Sequence, residues 1–141
     1  MNVKVMETLT EDDVKNLYDL YQQEWWTKGR KLNDIKEMLK HTSLVIGIQD
    51  AEANELIGFG RVLTDYVYKA LVLDIIVKGS HRKKGIGQYL MNYILQHHSL
   101  QHVRHFELYC RPEMEGFYEL FGFSKDTGGV YFMRRSREKG F

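Results

Sequence analysis

The chain has 141 residues, enough for one domain with its own core, and it is 43% hydrophobic and 28% charged, an ordinary globular composition. A net charge of +1 gives no sign of a general nucleic-acid or membrane binder, and a lone cysteine, Cys110, excludes an internal disulfide and fits a reducing cytoplasm. No leading apolar run resembles a signal peptide and no stretch is long enough to span a bilayer, so the expectation is a single cytoplasmic domain over residues 1–141.

Val3 to Met6 is apolar at alternate positions and predicts a first strand. Thr10, with an acid three residues on at Asp13, marks a helix start. Val14, Leu17, Tyr18 and Tyr21 then share one face, so residues 11–24 read as a helix. Trp25-Trp26-Thr27-Lys28-Gly29-Arg30 ends it, and Asn33 or Asp34 is expected to cap a second helix with Ile35, Met38 and Leu39 inward. Ser43 to Gln49 and Glu55 to Thr64 read as a hairpin over the polar residues 50–54.

Asp65-Tyr66-Val67-Tyr68 makes the next turn. Leu71 to Val77 follows as a run of mostly β-branched apolar residues, broken only by Asp74, and reads as a buried strand. A basic turn, Lys78 to Lys84, leads to Gly85-Ile86-Gly87. Ile86, Leu90, Met91, Ile94 and Leu95 then form a helix face. His97 to Gln101 reads as a polar loop and His105 to Cys110 as a strand. Met114 to Phe121 is a short helix stopped by Gly122, and residues 123–126 and 130–135 form a closing hairpin over Thr127-Gly128-Gly129. The order is β-α-α-β-β-β-α-β-α-β-β.

The strand, basic turn and helix of residues 70–95 organise the rest. Glycine lets a backbone approach a ligand closely, and the first N–H groups of a helix lack partners within it. Those amides point outward at the positive end of the helix dipole, which suits phosphate. Arg82, Lys83 and Lys84 add positive charge, so the predicted ligand carries a pyrophosphate. A P-loop would need its lysine after the glycines, and a dinucleotide fingerprint would need a third glycine where Leu90 stands.

Arg82-Lys83-Lys84-Gly85-Ile86-Gly87 fits Arg/Gln-x-x-Gly-x-Gly/Ala in full, and so resembles the acetyl-CoA-binding motif of the GCN5-related N-acetyltransferases, the GNAT family. Phe117-Tyr118-Glu119-Leu120-Phe121-Gly122-Phe123 resembles the same family's Phe-Tyr-x-x-x-Gly-Phe signature. The resemblance covers nearly the whole chain. It implies an α/β fold with a mixed, mostly antiparallel central sheet flanked by helices, and acetyl-CoA as cosubstrate without a metal. The implied reaction is direct transfer of the acetyl group to a primary amine of a small molecule or peptide.

By the same resemblance, Arg82, Lys83, Lys84, Gly85, Ile86, Gly87 and Gln88 hold the pyrophosphate and the 3′-phosphate. Ile75, Ile76 and Val77 pair with pantetheine as an added strand would, and the Ile75 N–H meets the thioester carbonyl. Tyr118 falls on the family's general acid, a phenol near pKa 10 able to protonate a thiolate near pKa 8.5. A packing tyrosine of a short helix is the plainer reading of the same residue.

The general base is less defined. Members with a glutamate at the place of Leu71, or a Glu-Asp pair at Leu73-Asp74, use an acid on this strand; here only Asp74 remains. Asp74 either binds the substrate ammonium, accepts its proton through water, or pairs with a basic residue of the fold, since an unpaired buried charge is costly. Arg111 stands where many members have an asparagine that contacts pantetheine.

In the family the first two helices wall the acceptor pocket, so Glu24, Trp25 and Trp26 are candidate substrate contacts. Successive helical residues point about 100° apart, so one tryptophan is expected in the core and the other in the pocket. Asp65, Tyr66 and Tyr68 are similar candidates, and ordinary packing explains all of these equally well. Histidines 97, 98, 102 and 105 match no metal-ligand spacing and read as a solvated loop. Cys110 lacks a His/Asp arrangement and reads as an inert strand thiol.

Two other readings stay open: a longer acyl-CoA as donor, and a CoA-binding regulatory or interaction module without turnover. Family members commonly dimerise, and the composition allows a homodimer. No nucleic-acid or membrane partner is expected.

Overall fold

The first helix begins where its side chains close a reciprocal cap. The Thr10 hydroxyl accepts from the Asp13 N–H at 3.1 Å, and the Asp13 carboxylate accepts from the Thr10 N–H at 2.9 Å. Such a capping box satisfies two helix-end donors and is worth about 1 kcal/mol. The computed structural model describes residues 2–138. Its elements are β1 (Val3–Met6), α1 (Glu11–Gln23), α2 (Leu32–Lys40), β2 (Leu44–Asp50), β3 (Glu55–Thr64), β4 (Lys69–Val77), α3 (Ile86–Leu95), β5 (His105–Glu107) and α4 (Glu115–Glu119). The described residues fall into two compact units, one running to Tyr109 and the other starting at Cys110.

In the first unit the strands form one sheet in the order β1-β2-β3-β4-β5. All neighbours are antiparallel except β4 and β5, which run parallel. α1 and α2 cover one face, where Leu17, Tyr21, Ile35, Leu56, Phe59 and Ile76 are all at most 2% exposed. α3 packs against the other face. Leu90 and Ile94 sit over Gly60 there, and Ile86 sits over Gly58.

One irregularity of the sheet positions the site. Phe59 pairs with Ile76 and Arg61 with Leu73, so Gly60 faces both Asp74 and Ile75. This is a bulge in β4, and Asp74 takes its left-handed position with φ of 55°. Gly60 opposite the bulge leaves room for the Ile75 side chain: a Cβ there would lie 2.6 Å from Cδ1 of Ile75. β5 pairs with β4 only from Lys69 to Leu71, so among the described residues no strand lines that edge of β4 beyond Leu71.

Several sequence expectations shift. α2 starts at an N-cap of Lys31, without a side-chain cap, so Asn33 and Asp34 lie inside its first turn. Tyr18 is 37% exposed and Leu20 takes the inward place. Trp25 and Trp26 are 63% and 37% exposed, so neither is in the core; the buried residue of that segment is Thr27, whose hydroxyl donates to the Tyr21 carbonyl at 2.8 Å. His97 is buried rather than solvated. Its Nε2 lies 3.1 Å from the Glu7 carboxylate, and Ser99 Oγ lies 2.8 Å from its Nδ1.

β5 ends at Glu107 instead of Cys110, and no strand is assigned among the described residues after it. The expected turn over Thr127-Gly128-Gly129 does form: the Thr127 hydroxyl donates to the Val130 carbonyl, and both glycines have positive φ. Two short flanking arms alone make only a marginal hairpin in water. Among the described residues no helix is long and apolar enough to cross a membrane.

Candidate active site

The turn between β4 and α3 has the geometry of an anion receptor. Gly85 is the N-cap of α3 with φ of 81°, a conformation that favours glycine. A Cβ there would meet nothing within 4 Å, so the space outside the cap is open. No side chain caps the helix, and its first bond runs from the Tyr89 N–H to the Gly85 carbonyl at 3.0 Å. The preceding amides, of Ile86, Gly87 and Gln88, therefore have no acceptor within the helix. Lys83 also has positive φ, 62°, and Lys83 and Lys84 are exposed beside the cap.

The end of α1 is tied to this turn. Gln23 donates to the Val77 carbonyl at 3.0 Å and accepts from the Gly79 N–H at 3.2 Å. Arg82 Nη2 meets Glu24 Oε1 at 2.6 Å, with the arginine side chain 53% exposed. Two residues that the sequence assigns to different ligands, Arg82 to phosphate and Glu24 to the acceptor, thus hold one another.

Asp74 has neighbours that the sequence did not single out. Its Oδ2 accepts from Arg61 Nε at 2.7 Å, Arg30 Nη1 at 2.8 Å and the Tyr21 hydroxyl at 2.9 Å. The Arg30 guanidinium also lies over the Tyr21 ring, 4.7 Å from its centroid. Burial alone would raise the Asp74 pKa, but Arg30 and Arg61 outweigh it and hold the carboxyl below its usual value. Burial, then the Asp74 charge, pushes the Tyr21 phenol far up, so it stays a donor. Of the roles left open for Asp74, pairing with basic residues of the fold is what the structure shows. A carboxylate held this way is a poor base.

Asp65 builds its own turn. Its Oδ1 accepts from the N–H groups of Val67, Tyr68 and Lys69 at 2.9, 2.7 and 3.1 Å, and these bonds hold its pKa low. One oxygen of this exposed carboxylate is thus engaged in backbone geometry.

In the second unit, Tyr118 is buried, with Phe117 and Phe123 packed edge-to-face at 5.1 and 6.2 Å. Desolvation, with a smaller contribution from Cys110, pushes its phenol up to about 12. Cys110 is exposed, and partial desolvation with Glu115 and Glu113 nearby raises its thiol pKa, which disfavours a nucleophilic thiolate. Arg111 Nε donates to Glu113 at 2.9 Å. Among the described residues no group of three histidine, cysteine or carboxylate side chains could hold a metal ion.

Residues 7–123 match the family model described as the acetyltransferase (GNAT) family. The chain is 32% identical over 120 residues to the N-acetyltransferase ycf52 of Pyropia yezoensis, covering 82% of this chain and 68% of that protein. It is 29% identical over 115 residues to the chloroplastic serotonin N-acetyltransferase 2 of Oryza sativa subsp. japonica, covering 78% of this chain and 57% of that one. Among solved structures, a GNAT-family protein from Xanthomonas campestris pv. campestris superposes with a TM-score of 0.83 at 26% identity, covering 96% of this chain and 94% of its own. The glucosamine-6-phosphate N-acetyltransferase of Arabidopsis thaliana shares the fold at 16% identity, with a TM-score of 0.79 over 98% of this chain and all of that one.

Proposed function

The chain belongs to the GNAT acetyltransferase family, and from that premise we propose that it transfers an acetyl group from acetyl-CoA directly to a primary amine. The observation that carries this reading is the open, uncapped first turn of α3 behind Gly85. The amides of Ile86, Gly87 and Gln88 bind the pyrophosphate there, and Lys83 and Lys84 supply charge for the 3′-phosphate. Arg82 joins them once it leaves Glu24. Residues 1–141 act as one cytoplasmic acetyltransferase domain, in keeping with a family match that runs across the boundary between the two units.

The unaccompanied edge of β4 supports the second half of the cofactor site. Ile75, Ile76 and Val77 take pantetheine as an added strand, and the Ile75 N–H polarises the thioester carbonyl. That bond strengthens as the carbonyl oxygen gains charge in the transition state, which lowers the barrier. The acceptor nitrogen attacks the carbonyl carbon, the C–S bond breaks, and Tyr118 gives its proton to the departing thiolate. Its raised pKa keeps that proton in place at neutral pH and makes its transfer to the thiolate less favourable than from an ordinary phenol. The acceptor ammonium gives one proton to water before the neutral amine attacks, and the nitrogen gives a second to water as the amide forms, because Asp74 is committed to Arg30, Arg61 and Tyr21. An amine acceptor agrees with the substrates in the names of the rice relative and the Arabidopsis structural neighbour.

Thiol release from acetyl-CoA, propionyl-CoA and butyryl-CoA with a panel of amines tests the reading. Amine-dependent release, fastest with acetyl-CoA, is the expected result. Binding without release across the panel would instead identify a CoA-binding module.

A further inference from the structure

The Asp74 cluster carries more charge than it neutralises. Arg30 and Arg61 share this one carboxylate, and among the described residues no second acid pairs with either. Two cations against one anion leave one positive charge over. The surroundings are partly dry: the side chains of Arg30, Arg61 and Asp74 are 32%, 12% and 5% exposed. Uncompensated charge in such a place is costly unless an anion completes the set.

Much of the donor capacity is also unused. Arg30 engages Asp74 through Nη1, and Arg61 through Nε. Nη2 and Nε of Arg30 and both Nη atoms of Arg61 donate to nothing among the described residues. Among the described residues no fully buried side-chain nitrogen lacks a partner, so each of these atoms keeps some contact with solvent. Asp74 and the Tyr21 ring fix the Arg30 plane, and a fixed guanidinium fork matches a carboxylate edge.

The location matters as much as the charge. Asp74 immediately precedes Ile75, whose N–H receives the thioester carbonyl in the reading above. Arg30 lies between α1 and α2, on the acceptor side of that reading. We infer that the acceptor is an amine that also carries a carboxylate, an amino acid, and that Arg30 and Arg61 bind this carboxylate beside the acetyl group. One surplus charge suits a monoanionic carboxylate better than a dianionic phosphate. This inference rests on the acetyltransferase reading and narrows its substrate class.

The test compares amino acids with their own carboxamides, and with glucosamine-6-phosphate, as acceptors from acetyl-CoA. At least one amino acid should exceed its carboxamide in kcat/KM by roughly 100-fold or more, chiefly through KM, because a site built for a polar group strongly rejects the analogue that lacks it. In Arg30→Gln that ratio should collapse to below about ten-fold while the acetyl-CoA Kd stays put, and Arg30→Lys should recover part of it. Carboxamides or the amino phosphate reacting as well as the acids would overturn the inference and leave the transferase reading standing. If no amine turns over, calorimetry with CoA present decides: N-acetyl amino acids binding where N-acetyl carboxamides do not would support it, and equal or absent binding would overturn it.

Discussion

Asp74 on β4 and Arg61 on β3 meet at 2.7 Å at the point where the ladder between the two strands changes register. Phe59 pairs with Ile76 on one side and Arg61 with Leu73 on the other, so β4 carries an extra residue there, and Asp74 has φ of 55°. Alternation continued from Ile76 puts Asp74 on the Arg61 face, whereas alternation continued from Leu73 would put it on the opposite one; the bulge joins the two. One irregular residue thus places the carboxylate under α1 and also sets the presentation of the Ile75 amide that follows.

Asp74→Asn should therefore destabilise the fold by about 3–5 kcal/mol, because it leaves two guanidinium groups facing a neutral amide. Thermal or denaturant unfolding measures this, and a loss below about 1 kcal/mol would show that the pairing is incidental. The pH dependence has a definite sign. The folded pKa of Asp74 lies below the unfolded value of about 3.9, so its stabilisation is complete above about pH 4 and disappears as pH falls through the folded value. Wild type should lose stability in that acid range more steeply than Asp74→Asn.

Gly87→Glu should abolish acetyl-CoA binding while the protein remains folded. It brings bulk and negative charge to the second residue of α3, where the amides are assigned to pyrophosphate. Calorimetry on a variant with native circular dichroism reads the effect, and unchanged binding would refute the loop assignment.

Glu24→Gln should tighten acetyl-CoA binding. The substitution frees Arg82 from the ion pair it forms with Glu24 at 2.6 Å. An exposed pair is worth about 0.2–1 kcal/mol, so the gain in Kd is at most about five-fold and shrinks with added salt. Weaker binding would mean that the pair shapes the turn for the ligand rather than competing with it.

Tyr118→Phe should lower kcat by about 100-fold or more, the usual reach of general acid catalysis, with little change in the acetyl-CoA Kd. Steady-state kinetics beside calorimetry separates the two. Loss of affinity with kcat unchanged would reduce Tyr118 to a packing residue.

The turn at Gly85 and the order of elements as far as α4 are legible in the sequence, because glycine spacing and hydrophobic periodicity act locally. The Thr10–Asp13 cap is legible for the same reason. The partners of Asp74 are not: Tyr21, Arg30 and Arg61 come from a helix, a loop and a neighbouring strand. A signal existed in Gly60, since a glycine inside a strand marks a bulge or a close approach, and in Arg61 as the one charge of β3 beyond its first residue, Glu55. Glu24 and Arg82 are separately visible as charges, but only tertiary structure pairs them. The turn-building bonds of Asp65 are not legible either, because they run to backbone amides, which leave no side-chain pattern.

Calorimetric titration of the protein with acetyl-CoA, run beside CoA lacking the 3′-phosphate and beside ATP, tests the cofactor assignment outright. Micromolar binding of acetyl-CoA, weaker binding without the 3′-phosphate, and no binding of ATP are expected. Folded protein that ignores acetyl-CoA, or that binds ATP equally well, would contradict that assignment.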